Sequence, residues 1–190
     1  MFIAEPPDRL AEYADRESKK WHGRAEAARQ LLPALSSLFR TTEGRPTIRY
    51  FEGVEGLKEI YEDSLKAKDM IRAYSAVEEM KDLMGDYMER YYQRRTKKKI
   101  YIKAITKSGT YAAHLKHVEK SFYRELRLVP ADKFDFTLER YIYNNKVAYM
   151  SFRDRFGVII ESRDIAHTEK YIFELAWQAA KKYDSEIKHG

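Results

Sequence analysis

The apolar pattern of this sequence changes its period at one place, the break Thr42-Glu43-Gly44-Arg45-Pro46. Before the break, from Asp8 onward, apolar residues recur every three, four or seven positions, which is the spacing of one helix face. After it, short strand-like and helix-like stretches alternate, which is typical of an α/β sheet covered by helices. We therefore expect a helical part over residues 1–43 and an α/β domain over residues 44–190.

The N-terminal helix is predicted to begin at Asp8, because Pro6 and Pro7 oppose a helix before it and Asp is a favourable N-cap residue. Its apolar residues form a seam along one face, and such a seam needs a partner. Two partners are open: the α/β domain of the same chain, or the same helix of a second copy. We favour the second, a coiled-coil-like homodimer. The seam consists of Leu10, Ala14, Trp21, Ala28, Leu31, Leu35 and Leu38.

The first half of the α/β domain predicts strands joined by helices, and therefore a set of parallel strands. These strands are expected at residues 47–51, 70–75, 100–106 and 124–129. The second half predicts an antiparallel meander, because Asn144-Asn145 forms a tight turn that tolerates positive φ. Its strands are expected at residues 137–143, 146–152 and 156–161.

A last helix is expected over residues 162–182, with Ser162 as its N-cap. Its apolar residues recur at helical spacing, and we expect Ile165, Ile172 and Leu175 to face the core together with Ala176 and Ala179.

The charge and cysteine content exclude several classes of protein. Lys and Arg (36) outnumber Asp and Glu (30), which gives a net charge of +6, and the chain contains no cysteine. Without thiols there is no disulfide scaffold, thiol nucleophile or zinc–thiolate cluster. The longest apolar runs are far shorter than the roughly 20 residues of a membrane-spanning helix. We therefore expect a cytoplasmic protein with no membrane span.

The histidines and glycines do not form a recognisable metal, cofactor or phosphate motif. His114 and His117 could share one helix face, but two nitrogens without a third ligand do not predict a metal site. The tripeptide His114-Leu115-Lys116 also matches the opening of the phosphodiesterase motif HxK(x)4D, but its acid position holds Ser121. No GxxxxGK[ST] or GxGxxG pattern occurs. We expect no metal and no cofactor.

Five cations lie close together at the end of a predicted helix: Arg94, Arg95, Lys97, Lys98 and Lys99. Such a cluster could bind the phosphates of a nucleic acid. It could equally be a solvated helix end, where cations interact favourably with the helix dipole. Both interpretations stay open at this stage.

Five strings of the sequence resemble the TrmB-type transcriptional regulators, and the resemblance extends over nearly the whole chain. They are Phe2–Pro6 (FIAEP), Leu31–Pro33 (LLP) near the end of the first helix, Arg49–Asp63 (RYFEGVEGLKEIYED), Gly157–Ser162 (GVIIES) and Phe173–Trp177 (FELAW). In that family a winged helix-turn-helix is followed by a dimerising helix and a sensor domain similar to the phospholipase D fold. The resemblance therefore implies a long coiled-coil-like helix, then a mixed-sheet, phospholipase D-like α/β domain, with the DNA reader absent from this chain.

The resemblance to phospholipase D puts Thr137, Glu139 and Asn144 at the positions of the catalytic His, Lys and Asp. None of the three catalytic residue types is present, so we expect the fold without the chemistry. The same end of the sheet could still bind a small ligand. We expect a pocket that prefers hydroxyls or cations, and the resemblance suggests a sugar-like effector. The candidate ligand-binding residues are Glu52, Ser75, Glu139 and Ser151.

The function expected from the sequence is therefore the non-catalytic, effector-sensing and dimerising part of a TrmB-like transcription regulator. Two alternatives from other classes stay open. One is a phosphodiesterase or nuclease of phospholipase D type. The other is a nucleic-acid-binding module that uses the Arg94–Lys99 cluster.

Overall fold

The computed structural model describes residues 8–40 and 46–187, with side chains for residues 9–32 and 46–187. The chain divides into two compact units, Met1–Arg45 and Pro46–Gly190. The described part of the first unit is one helix, α1 (Asp8–Arg40). At 33 residues and 1.5 Å per residue this helix is about 50 Å long.

The second unit is a mixed seven-stranded sheet with helices on both faces. Its strands are β1 (Thr47–Glu52), β2 (Ile71–Ser75), β3 (Ile102–Lys107), β4 (Arg124–Val129), β5 (Leu138–Tyr143), β6 (Lys146–Ser151) and β7 (Phe156–Glu161). Its helices are α2 (Gly53–Ser64), α3 (Val77–Lys97), α4 (Thr110–His117) and α5 (Arg163–Glu186), with a 3₁₀ turn at Glu119–Phe122. The expected α/β fold behind a long N-terminal helix is confirmed.

The strand order is β1-β7-β6-β5-β2-β3-β4. Strands β2, β3 and β4 are parallel, and β5, β6 and β7 extend the sheet as an antiparallel meander. Strand β1 lies at the opposite edge from β4 and pairs antiparallel with β7. The crossover from β1 through α2 to β2 therefore passes over three intervening strands.

The two faces of the sheet carry two separate cores. Helices α2, α3 and α4 cover one face with Leu57, Ile60, Tyr61, Met80, Met84, Met88, Tyr91 and Leu115. Helix α5 covers the other face with Ala166, Phe173, Trp177 and Ala180. A Cβ at Gly157 of β7 would collide with Ile60 and with the Tyr149 carbonyl, so glycine there allows α2 to approach the sheet closely.

Helix α5 corrects one expectation from the sequence. Ser162 does cap the helix, because its hydroxyl accepts from the Ile165 amide at 3.4 Å. However, Ile165, Ile172 and Leu175 are exposed, while Phe173 and Trp177 are buried. Of the two small residues expected inward, Ala176 is only partly buried and Ala179 is exposed. The helix is rotated because burying two large aromatic side chains removes more apolar surface from water than burying the aliphatic stripe.

None of the helices in residues 8–40 and 46–187 combines the length and the apolar character that crossing a bilayer requires.

Candidate functional site

Three segments meet at the carboxyl edge of the parallel strands and leave a cleft between them. The segments are the start of α3, the residues before β5, and the turn between β6 and β7, which share this edge because β5 runs antiparallel to β2 and β6. Loops beyond the carboxyl ends of such strands are the common ligand site of open α/β sheets. This edge cleft has a volume of about 430 Å³ and is lined by Glu79, Asp82, Leu83, Thr137, Phe152, Arg153 and Arg155.

The edge cleft carries both signs of charge. Lys107 Nζ donates to Glu79 Oε1 at 2.7 Å and to Asp135 Oδ1 at 3.1 Å. The second oxygen of Glu79, Oε2, is buried and accepts no hydrogen bond from the described residues. Asp82 and Arg153 are exposed at the cleft. The cleft can therefore offer a carboxylate and a guanidinium to a small polar molecule.

Glu139 lies behind this edge and is fully buried. Its Oε1 accepts from the Tyr61 hydroxyl at 2.7 Å, and its Oε2 accepts from the Ala76 amide at 3.3 Å. Burial raises the pKa of the Glu139 carboxyl to about 7, although the Tyr61 and Tyr141 hydroxyls and the Ala76 amide oppose the rise. Glu139 thus joins β5 to α2 and to the start of α3.

The three positions matched to the phospholipase D catalytic residues are separated in space. Thr137 lines the edge cleft, Glu139 is buried, and Asn144 lies in the β5–β6 turn at the other end of β5. The Asn144 side chain accepts from the Lys68 amide at 2.9 Å and donates to the Lys66 carbonyl at 3.1 Å. Asn144 also has φ 48°, as its predicted turn requires. It therefore holds a loop in place, and the edge cleft has no histidine in its lining.

The four candidate ligand residues do not line one open pocket. Ser75 and Ser151 are buried like Glu139, whereas Glu52 is exposed at the end of the edge strand β1. The Ser151 hydroxyl donates to Asp154 Oδ2 at 2.8 Å and accepts from the Asp154 amide at 3.2 Å, which stabilises the β6–β7 turn. A direct ligand contact for these four residues stays a prediction.

Sequence reasoning missed the charged lining of the edge cleft. A signal was present, because Glu79 and Asp82 lie one turn apart near the start of α3 and Arg153 and Arg155 lie in one tight turn. Neither pair forms a known motif. Only the folded sheet brings the two pairs together.

The five clustered cations differ in their exposure and partners, and a nucleic-acid contact for them stays a prediction. Arg94 makes a bidentate ion pair with Glu62 at 2.7 and 2.8 Å, and that contact lowers the pKa of Glu62. Arg95 is only 1% exposed and donates to the carbonyls of Ile100, Phe122 and Tyr123. The exposed cations of the cluster that remain are Lys97, Lys98 and Lys99, and Lys98 donates to the Leu65 carbonyl at 3.3 Å.

The two histidines of α4 are exposed, and the ring of His114 stacks on that of Tyr111 with 6.1 Å between centroids. In the part of the chain that the structure describes, no group of three or more His, Asp or Glu side chains is arranged to hold a metal ion.

The apolar seam of α1 is exposed throughout its described length. Leu10 is 75% and Trp21 61% exposed, and Leu31 is similarly open to solvent. Ala14 and Ala28 are exposed on the same face. The side chains of Leu35 and Leu38 lie outside the described residues, although both positions belong to the helix. Whether the seam pairs two chains stays a prediction.

Comparison with known proteins gives a likeness of fold. No protein-family model matches the chain, and no curated protein matches it significantly. Among solved structures, TrmBL2, an archaeal chromatin protein described as having a novel mode of DNA binding, matches with a TM-score of 0.53 and 17% identity. The match covers 90% of this chain and 67% of TrmBL2. The chain therefore shares the fold of the matched part of TrmBL2.

Two further structures match less well. NucT from Helicobacter pylori gives a TM-score of 0.48 at 11% identity, covering 70% of this chain and 97% of NucT. Polyphosphate kinase from Porphyromonas gingivalis gives 0.46 at 7% identity, covering 69% of this chain and 26% of the kinase. These scores are too low to support a functional argument.

Proposed function

We propose that this chain is the dimerising and effector-sensing part of a TrmB-like transcriptional regulator, with no catalytic activity of its own. Helix α1 pairs two copies, and the α/β unit receives a small polar molecule at the edge cleft. TrmBL2 is described as a DNA-binding protein. For the proposed regulator we assign DNA contact to a winged helix-turn-helix reader outside this chain, joined on the N-terminal side of α1, as the resemblance to the TrmB-type regulators implies.

The observation that carries the proposal is the exposure of the apolar seam of α1 over residues 9–32. A helix of 33 residues with a Trp and several Leu residues exposed along one face leaves a large apolar stripe in water. Two such helices side by side bury the stripe by packing knobs into holes. We propose a parallel pair, because that arrangement puts the two reader attachment points at the same end.

The signal would pass from the edge cleft to the paired helices as a shift between two arrangements of the dimer. A ligand shifts such an equilibrium only by the difference in its affinity for the two arrangements. A 100-fold difference in affinity changes the free-energy difference between the two arrangements by up to about 2.7 kcal/mol. No covalent step is involved.

Dimerisation is tested by sedimentation equilibrium at micromolar concentration, where we expect the mass of two chains. Trp21→Glu and Leu31→Glu place a charge on the seam and should shift the protein to monomer. Lys19→Glu is the matched control, because Lys19 lies nine residues beyond Leu10, about two and a half turns, and so on the opposite side of the helix. A monomeric wild-type protein, or equal effects of all three substitutions, would contradict the proposal.

Sensing is tested by a thermal-shift screen of sugars, polyols and amino acids, because the edge cleft offers both a carboxylate and a guanidinium. We expect at least one compound to raise the Tm, as a ligand that binds only the folded state must. Asp82→Asn should reduce that rise. Asp86→Asn is the control, since Asp86 is exposed on the same helix and outside the lining of the cleft. No shift with any compound, or equal loss in both variants, would count against a sensor in this cleft.

No observation favours either of the other functions. A phospholipase D-type phosphodiesterase needs a histidine nucleophile, and the edge cleft is lined without one. We expect no hydrolysis of bis(p-nitrophenyl) phosphate, and an activity lost in His114→Ala would revive that function.

A nucleic-acid module based on the basic cluster could not use all five cations, because Arg95 is buried and Arg94 is paired with Glu62. We expect this chain to show no salt-dependent binding to DNA. Salt-dependent binding that disappears when Lys97, Lys98 and Lys99 are replaced by Ala would revive that function.

A further inference from the structure

A small cavity lined by buried residues lies under α3, on the face of the sheet that α2, α3 and α4 cover. Its volume is about 20 Å³, and residues of β2, α3, β3, β4 and β5 surround it. A space of roughly 10–15 Å³ is enough for one water-sized occupant. The polar side chains in its lining are Ser75, Tyr92, Arg95, Arg124 and Tyr141, so it is not an apolar void. This inner cavity shares no lining residue with the edge cleft.

Arg124 lines the inner cavity, and two of its hydrogen-bond donors have no acceptor among the described residues. The side chain is buried, with 6% exposure, and its guanidinium stacks 4.1 Å from the centroid of Tyr92 and 5.1 Å from that of Phe122. Its Nε and Nη2 atoms are buried and make no hydrogen bond with the described residues. Buried donors of a charged group that stay unpaired are strongly destabilising, so an acceptor is expected in the cavity.

Arg95 adds a second buried positive charge to the same cavity. Its N–H groups are used on the carbonyls of Ile100, Phe122 and Tyr123, which satisfy its hydrogen bonds without neutralising its charge. Burial lowers the pKa of Arg95, and the nearby charge of Arg124 lowers it further. The ion pairs between described residues of the α/β unit include neither Arg95 nor Arg124.

We propose that the inner cavity binds a single monatomic anion of the halide class, chloride under ordinary conditions. The anion accepts hydrogen bonds from Arg124 Nε and Nη2 and offsets the charge of the two buried guanidinium groups. Water would supply acceptor lone pairs but no charge. Phosphate, sulfate and carboxylate ligands contain several heavy atoms and exceed the volume of the cavity.

The anion would hold α3 against the sheet. Tyr92 and Arg95 belong to the second half of α3, while Arg124 begins β4. The two halves of α3 meet at Gly85, which has the non-helical angles φ 32° and ψ −114°. Occupancy of the cavity therefore stabilises the half of α3 that lies beyond this interruption. The inference is independent of dimerisation and of the edge cleft.

The test compares the Tm of the whole chain in sodium methanesulfonate and in sodium chloride or bromide at one fixed ionic strength. We expect the halides to raise the Tm by about 3–6 °C, saturating with concentration, as specific binding to the folded state requires. Sulfate raises the Tm of most proteins through exclusion from their surface, without saturation, and serves as the comparison. A crystal grown in bromide should show an anomalous peak in the inner cavity.

Two substitutions in β4 distinguish halide binding in the inner cavity from a general change in stability. Arg124→Gln should abolish the halide dependence of the Tm. Arg127→Gln is the matched control, because Arg127 belongs to the same strand but stacks on Trp177 at 4.0 Å, within the core of the opposite face. It should lower the Tm and keep the halide dependence. If Arg124→Gln fails to fold, broadening of the ³⁵Cl NMR signal by the wild-type protein decides instead.

Equal Tm values for the wild-type protein in halide and methanesulfonate, together with no bromide peak, would overturn the proposal and assign the cavity to water. A halide effect that Arg124→Gln retains would place the anion at another site and would also overturn it.

Discussion

The two tryptophans of this chain have opposite environments, and the contrast separates its two units. Trp177 in α5 is 2% exposed and packs on Phe173 at 5.7 Å between ring centroids. Trp21 in α1 is largely exposed, with the Arg24 guanidinium 4.9 Å from the centre of its ring. The α/β unit therefore buries Trp177 in a core of its own, whereas Trp21 of α1 is open to solvent. The stability of α1 must depend on something outside its own unit.

The largest expected difference between the two units is in the cost of replacing each tryptophan separately by alanine. Trp177→Ala should lower the free energy of unfolding of the α/β unit by about 3–5 kcal/mol, because a cavity opens in a packed core. Trp21→Ala should change the unfolding of the same unit by less than about 0.5 kcal/mol. Urea unfolding followed by circular dichroism at 222 nm, with each variant compared to wild type, measures both values. Equal losses would remove the contrast between the units.

The second effect is a pH dependence of stability that comes from Glu139 in the interior of the α/β unit. The pKa of Glu139 is about 7 in the folded state, above its value of 4.5 in a free side chain. The folded protein therefore binds more protons than the unfolded chain between these values, so stability must fall as the pH rises from about 4.5 to 7. The fall should approach about 3 kcal/mol by pH 8.

Glu139→Gln cannot ionise, and its free energy of unfolding should lose this slope. Urea midpoints at pH 5, 6, 7 and 8 for both proteins provide the measurement. A wild-type slope that persists in the variant would mean that another group titrates. Since Tyr61 and Ala76, which donate hydrogen bonds to Glu139, both belong to the α/β unit, Trp21→Ala should keep the slope unchanged.

A smaller effect comes from Asp63 at the end of α2, where several elements meet. Its carboxylate accepts from Tyr143 at 2.7 Å and Lys146 at 2.8 Å and pairs with Arg49 at 3.3 Å. Burial alone would raise its pKa, but these hydrogen bonds and charges lower it to about 2. The stabilisation is therefore complete above about pH 4 and is lost as the pH falls through 2.

Asp63→Asn should cost about 2 kcal/mol at pH 7 and almost nothing near pH 2. Glu26→Gln is the comparison in α1, where the pair with Arg29 at 3.2 Å is exposed and should contribute less than about 0.5 kcal/mol. Acid titrations of stability for the two variants distinguish them. A cost for Asp63→Asn that does not change with pH would show that packing, and not its charge, is important.

The sequence predicted the elements of the α/β unit well, because each one carries a local signal. The turn at Asn144 is an example, because the adjacent pair Asn144-Asn145 is enough to predict it and the positive φ of Asn144. The place of β1 was harder to predict. Its pairing with β7 joins residues more than a hundred positions apart, and no local pattern encodes such a contact.

The orientation of α5 and the lining of the edge cleft were also hard to predict, because both depend on tertiary packing. Helix α5 has apolar residues on two adjacent stripes, and only the space beneath it decides that Phe173 rather than Ile172 is buried. The edge cleft is assembled from Glu79, Thr137 and Arg153, which lie on separate segments without periodicity. The residues predicted to bind ligand were mostly strand ends that the fold buries.

The most direct test of the account is a disulfide trap in α1, which the absence of cysteine in the natural sequence makes simple. In a parallel pair of helices, Ala28 of the seam faces its own copy, and a disulfide needs Cα atoms within about 7 Å. Ala28→Cys should therefore give a covalent dimer on mild oxidation at micromolar concentration, whereas Lys19→Cys on the opposite side of the helix should stay monomeric on a non-reducing gel. Cross-linking of both variants to the same extent, or of neither, would contradict the pairing of two chains through α1.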